Sequence, residues 1–121
     1  MDEPRFKKLR VWQESMKLTK EIYEATKDFP QNEKYGLSSQ LQRAAVSIPS
    51  NIAEGAGRGT KKDFSHFLSQ ARGSLYEIIT QLEICTDIGL ISKEQMILFQ
   101  ERCESLSKQI NALIISLREE V

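Results

Sequence analysis

Four stretches of this 121-residue chain place apolar or small side chains at alternating intervals of four and three residues, and that spacing constrains the fold more than anything else in the sequence. The first runs Val11, Ser15, Leu18, Ile22, Ala25, Phe29, and the second Leu37, Leu41, Ala44 or Ala45, Ile48, Ile52. The third runs Phe64, Leu68, Ala71, Leu75, Ile78, Leu82, Cys85, and the fourth Met96, Phe99, Cys103, Leu106, Ile110, Leu113, Leu117. An α-helix turns once in about 3.6 residues, so this alternation gathers each set into one stripe of the kind a helix buries in a bundle. No alternating apolar and polar run of the strand type competes with these stripes.

The punctuation between stripes agrees. Phe29-Pro30 stops the first helix, because proline disfavours helical geometry in the residue before it. The second begins near Tyr35 to Ser38, and Gly55 suits a left-handed cap at its end. Thr60 is placed as the N-cap of the third helix and Gly89 closes it, while Ser92 with Gln95 three residues on matches a capping box. The expected helices are therefore about 10–28, 36–55, 61–88 and 92–118. Connections this short make successive helices antiparallel, so the expected fold is all-α: one domain, 1–121, folded as an antiparallel up-down-up-down four-helix bundle. Pro49 lies inside the second stripe, where the helix either kinks or ends and restarts, the kink being favoured. A kink bends the helix around the core; it also frees a backbone carbonyl near Gln42 to Ala45 for a partner.

A chain of this size buries roughly two thirds of its unfolded surface, so it needs no disulfide or metal staple. Cys85 and Cys103 fall on apolar positions of the last two helices, offset about the intervening turn by roughly 10 Å of helix rise, beyond the ~7 Å limit for a disulfide. They read as buried reduced thiols. The first eight residues carry charge where a secretion signal needs an apolar region, and no apolar run approaches a membrane span. That points to a cytoplasmic protein with no membrane partner.

Catalytic chemistry finds little to work with. A di-metal bundle needs Glu-x-x-His pairs, yet the single histidine, His66, has Asp63 three positions before it, and the cysteines are isolated on apolar seams. An enzyme would have to use His66 as its base, in a pocket beside that residue. The run Gly55 to Lys62 superficially suggests a phosphate loop but lacks the Walker spacing and a preceding strand, and reads as a flexible connector. No catalytic residue, metal ligand or cofactor is therefore assigned.

Binding residues are easier to nominate. Lys plus Arg (17) balances Asp plus Glu (17), which removes the bulk signature of a dedicated nucleic-acid binder and leaves only local patches. Arg5, Lys7, Lys8 and Arg10 against Asp2 and Glu3 leave the first ten residues at plus two, and Arg58, Lys61 and Lys62 against Asp63 leave the elbow at plus two. Residues 76–106 instead reach minus four. Arg43, Arg58, Lys61 and Lys62 are the candidate phosphate contacts for RNA or DNA. A second, polar stripe runs through Arg43, Ser47, Asn51 and Glu54 on one middle helix and His66, Gln70, Gly73, Glu77 and Gln81 on the other. Either Arg43 with Glu77, or Glu54 with Arg72, pairs across to fix helix register while Gly73-Ser74 allows close approach, or the row is an oligomer interface. Trp12, Met16 and Tyr23 make a second apolar row on the first helix, belonging either to a broad core or to a subunit contact.

The segment Leu41 to Gly55 with its Asn51-Ile52-Ala53-Glu54-Gly55 core, then Arg58, Phe64, Phe67-Leu68, Ala71, Gly73-Ser74, Glu77 and Gln81-Leu82, closely resembles the bacterial 23S rRNA intervening-sequence proteins, also called the four-helix bundle protein family. The resemblance spans Val11 to Ile91 and implies a small cytoplasmic, non-enzymatic bundle assembling as a homopentameric ring. A related branch, the accessory proteins of diversity-generating retroelements, implies binding to nucleic acid and to a reverse transcriptase. The leading expectation is thus a non-enzymatic, homo-oligomeric bundle associated with RNA or DNA. The alternative is a protein-interaction scaffold that recruits a partner polypeptide through the row around Trp12.

Overall fold

The four stripes become four helices. In the computed structural model, which describes residues 4–33 and 36–119, α1 spans Arg10–Thr26, α2 Leu37–Ala56, α3 Lys61–Asp87 and α4 Lys93–Glu119. Single 3-10 turns occupy Arg5–Lys8 and Gln31–Glu33, and no strand occurs among the described residues. Tyr35, the earliest expected start of α2, lies outside the described residues, as do Asp2 and Glu3. Each helix packs against its two neighbours around a square, α1 on α2, α2 on α3, α3 on α4 and α4 on α1, while the backbones of each diagonal pair stand farther apart across the core. Cross-helix hydrogen bonds show the antiparallel register: Gln42 Nε2 donates to Thr26 Oγ1 at 3.0 Å, Arg72 Nη1 to Asn111 Oδ1 at 2.8 Å, and Gln100 Nε2 to Glu83 Oε1 at 3.0 Å.

The stripes line one core. Leu18, Ile22, Ile48, Ile52, Leu68, Leu75, Ile78 and Ile110 are wholly buried, and each such side chain contributes about 1.5–3 kcal/mol by leaving water. Two stripe ends shift by a residue or more: Thr26 is buried where Phe29 is only half-buried, and Ile114 is buried where Leu113 is half-buried. Ser15 sits in the first stripe at no apolar gain, and it satisfies its hydroxyl by donating to the Trp12 carbonyl at 2.8 Å.

The helix ends follow local chemistry. The Thr60 side chain accepts from the Asp63 amide at 3.1 Å. Ser92 and Gln95 cap reciprocally, the Ser92 amide donating to Gln95 Oε1 at 2.8 Å and the Gln95 amide to Ser92 Oγ at 3.0 Å. Gly89 adopts a positive φ of 82° just past α3, as a helix-stopping glycine does.

Gly55 does not. It lies inside α2, which continues to Ala56, and the positive φ at the elbow belongs to Gly59 at 92°. Its need for glycine is steric: a Cβ there would stand 2.7 Å from Phe67 Cβ and 3.1 Å from Phe64 Cδ1, so the missing side chain lets α2 and α3 cross closely. Gly73 corrects the opposite way, since a Cβ there meets nothing within 4 Å and the expected close approach at that point does not occur.

Pro49 is buried within an uninterrupted α2. Having no N–H, it cannot bond the carbonyl four residues back, which belongs to Ala45. Thr19 of α1 fills the vacancy: its hydroxyl lies 3.1 Å from that oxygen and 2.8 Å from the Ser15 carbonyl of its own helix. The freed carbonyl is thus taken inside the chain. Cys85 and Cys103 are both buried and unbridged. Among the described residues, no helix is long and apolar enough to cross a membrane.

Candidate functional site

Up-down topology gathers basic side chains that the sequence keeps far apart. The start of α1, the end of α2, the start of α3 and the end of α4 share one pole of the bundle, so Arg5, Lys7 and Lys8, the elbow residues Arg58, Lys61 and Lys62, and Arg118 all belong to it. The Arg5–Lys8 turn packs on α2 as well as α1, and Lys61, Lys62 and Arg118 line a single groove with Ser65, His66 and Ser69. The exposed N-terminus of α3 adds its share of positive potential there. Arg118 and this convergence are invisible to patch counting along the chain, because only the order of the helices brings the segments together.

Arg58 is held rather than loose. Its guanidinium pairs with Glu54 at 2.8 Å, one turn back, and stands 5.1 Å over the Phe67 ring, leaving about half of its side chain in water. This local pair between the last turn of α2 and the elbow takes Glu54 away from the expected partner Arg72, which donates instead to Asn111 of α4. An i,i+4 pair needs no long-range alignment, which is why it prevails over the cross-helix one. Arg43 lies away from the pole, in a groove between α2 and α3 with Glu77 and Gln81. The expected Arg43 to Glu77 ion pair is not formed, and neither residue has an ion-pair partner among the described residues.

The polar rows of α2 and α3 do meet, at Ser47 and Ser74, whose hydroxyls hydrogen-bond across the joint. Asn51 turns inward on its own helix, donating to the Ser47 carbonyl at 2.8 Å. Gln81 leaves its Oε1 buried without a hydrogen-bond partner among the described residues. On α1, Trp12 and Met16 are half-buried and Trp12 packs edge-on against Phe6 at 5.4 Å, whereas Tyr23 stays 46% exposed. The row is thus part core and part surface.

His66 is exposed and its ring nitrogen lies 3.0 Å from Gln70 Nε2, the only hydrogen-bond partner it has among the described residues. Its ring meets Phe67 edge-on. Among the described residues, no group of three or more His, Cys, Asp or Glu side chains is placed to hold a metal ion. Burial pushes the Cys103 thiol up to about 12 and Cys85 up to about 11, with Glu21 and Glu33 respectively adding to the rise, so neither is a ready nucleophile.

The fold has a solved counterpart. A protein of unknown function from the S23 ribosomal protein family of Bacteroides thetaiotaomicron VPI-5482 superposes with a TM-score of 0.77 over 86% of this chain and 97% of its own, at 22% identity. No curated protein matches the sequence. The model of the family described as 23S rRNA-intervening sequence protein matches residues 7–112, which covers α1 to α3 entirely and most of α4. This chain belongs to the 23S rRNA-intervening sequence protein family.

Proposed function

We propose that this protein is a non-enzymatic, homo-oligomeric helical bundle that associates with nucleic acid through its basic pole. One observation carries the reading: cationic side chains from three separate segments gather at one end of the bundle, while the acidic residues of 76–106 lie along its length and at the other end. Such a separation attracts phosphate locally even in a chain of zero net charge. The name of its family, taken from 23S rRNA intervening sequences, makes structured RNA the first ligand to try. Assembly into a ring, as the resemblance implies, would repeat the pole around a symmetry axis and sum its field. The non-enzymatic part of the reading is supported by His66, exposed and hydrogen-bonded only to Gln70 among the described residues, and by the burial of both thiols.

The test is a gel-shift titration with a structured RNA hairpin at several salt concentrations. Neutralised phosphates set the slope of log affinity against log salt at about 0.7–0.9 per contact. The triple variant Arg58→Ala, Lys61→Ala, Lys62→Ala should bind more weakly and flatten that slope by about 2. Equal affinity and slope in the variant would refute the pole as the contact. A second reading, a scaffold for a partner polypeptide, is favoured by the exposure of Tyr23, three turns along the same row of α1 as Trp12; absence of RNA binding together with a saturable protein partner lost in Tyr23→Ser would establish it.

A further inference from the structure

Where α3 starts and α4 ends, the two helices leave a groove of about 430 Å³ between them, within the ~300–1,000 Å³ range of sites that hold small organic molecules. Its two ends differ in chemistry. The Arg72 to Asn111 and Gln100 to Glu83 bonds stand eleven residues apart on both helices, so one antiparallel register runs along this joint. Extended toward the pole, that register sets Ser69 opposite Ile114, His66 opposite Leu117 and Ser65 opposite Arg118. The inner part is thus hydroxyl, imidazole and the edges of two core side chains, while Lys61, Lys62 and Arg118 form the mouth at the pole. No acidic side chain lines the groove among the described residues. The Ser65 and Ser69 hydroxyls make no hydrogen bond among the described residues, and the exposed His66 ring is steadied by Gln70 and by its edge-on contact with Phe67.

We infer that this groove takes one unpaired nucleotide of a single-stranded RNA, with its phosphate at the mouth and its base laid inside. The inference rests on the nucleic-acid reading above and deepens it by naming the form of RNA that the pole selects. Three cations at the mouth complement the phosphates on either side of the nucleotide. A base has flat apolar faces and polar edges, and the inner groove offers both kinds of partner: the His66 ring with Ile114 and Leu117 for the faces, Ser65 and Ser69 for the edges. Stacking of an unpaired base on an aromatic side chain, histidine included, is a general means of holding single strands. A duplex keeps its bases paired and stacked, so it presents only phosphates to the mouth and leaves the inner groove empty. The pole therefore binds single strands more tightly than duplex, although both meet the same cations.

Fluorescence anisotropy tests this with a short labelled RNA of unstructured sequence, alone and annealed to its complement, at one salt concentration. His66 and Ser69 are both exposed, and thermal melts by circular dichroism check that each variant folds. The natural chain should bind the single strand more tightly than the duplex. His66→Ala should weaken single-strand binding by about 5–100-fold, the range for losing one stacked base, and leave duplex binding unchanged. His66→Phe, which keeps a flat ring without the imidazole nitrogens, should retain most of the single-strand affinity, whereas Ser69→Leu, which fills the inner groove, should lose it. Equal affinity for the two forms, a single-strand affinity untouched by His66→Ala or Ser69→Leu, or a His66→Phe protein as weak as His66→Ala would overturn the groove. The basic pole would survive that result if duplex binding is still lost in the Arg58, Lys61, Lys62 triple variant. If the natural chain binds neither form, the nucleic-acid reading fails and the groove with it.

Discussion

The same substitution at two glycines of neighbouring helices should change stability in opposite directions. Gly55 and Gly73 both lie within α-helices, so replacing either by alanine gains about 1 kcal/mol of helix propensity. At Gly73 the new methyl meets nothing within 4 Å, and the gain stands. At Gly55 it would lie 2.7 Å from Phe67 Cβ and 3.4 Å from Phe64 Cα, atoms fixed to the α3 backbone that no rotamer change can withdraw. The helices must separate at their tightest crossing, and overpacking of this kind costs typically about 1–3 kcal/mol. The net expectation is that Gly55→Ala loses about 0–2 kcal/mol and Gly73→Ala gains about 1, a gap of roughly 1–3 kcal/mol between them. Urea unfolding followed by far-ultraviolet circular dichroism reads this directly, and the thermal midpoints should differ by on the order of 10 °C. A Gly55→Ala protein as stable as Gly73→Ala would refute the steric account of Gly55.

Further outcomes follow from other joints. Thr19→Val should cost about 1–2 kcal/mol by leaving the Ala45 carbonyl without a donor, and should cost less in a Pro49→Ala background, where an N–H becomes available one turn on; equal costs in both backgrounds would contradict the pairing. Arg102 donates to both carboxylate oxygens of Glu21 at 2.8 and 2.9 Å, and that hydrogen bond keeps its guanidinium firmly protonated; Arg102→Met should cost about 1 kcal/mol, a loss that shrinks in high salt as screening weakens the partly exposed pair. Both thiols have folded pKa values above the ordinary 9.0, so the stability they contribute is complete below pH 9 and is lost as pH rises toward about 11 for Cys85 and about 12 for Cys103. Neither should react with Ellman's reagent at neutral pH until denaturant is added, and fast labelling of the native protein would show that the burial is wrong.

The parts of this fold that are legible in sequence are the ones set by interactions a few residues long. The four stripes, the Thr60 cap and the Ser92 to Gln95 box each depend on helix geometry alone, and each is found where the spacing puts it apart from the far ends of the first and fourth stripes. Gly55 is misread because both capping and close approach select glycine, and only the position of Phe67 on another helix decides between them. The polar pairs are misread because long side chains have several partners within reach: Glu54 takes Arg58 of the adjoining elbow, and Arg72 turns to α4. The candidate site is legible residue by residue at Arg58, Lys61 and Lys62, yet its extent is not, since joining Arg5 to Arg118 requires the order of the helices. Arg43, nominated with them, lies in a groove along the α2–α3 joint.

The Thr19 hydroxyl on the Ala45 carbonyl also acts as an alignment key. Greasy stripes by themselves tolerate sliding, because one leucine can replace another a turn away. Here a slide of α1 that put Tyr23 in the place of Thr19 would leave that oxygen without its short hydroxyl, so that misaligned arrangement carries a penalty the correct one avoids. A proline that weakens one helix thereby helps choose how two of them meet.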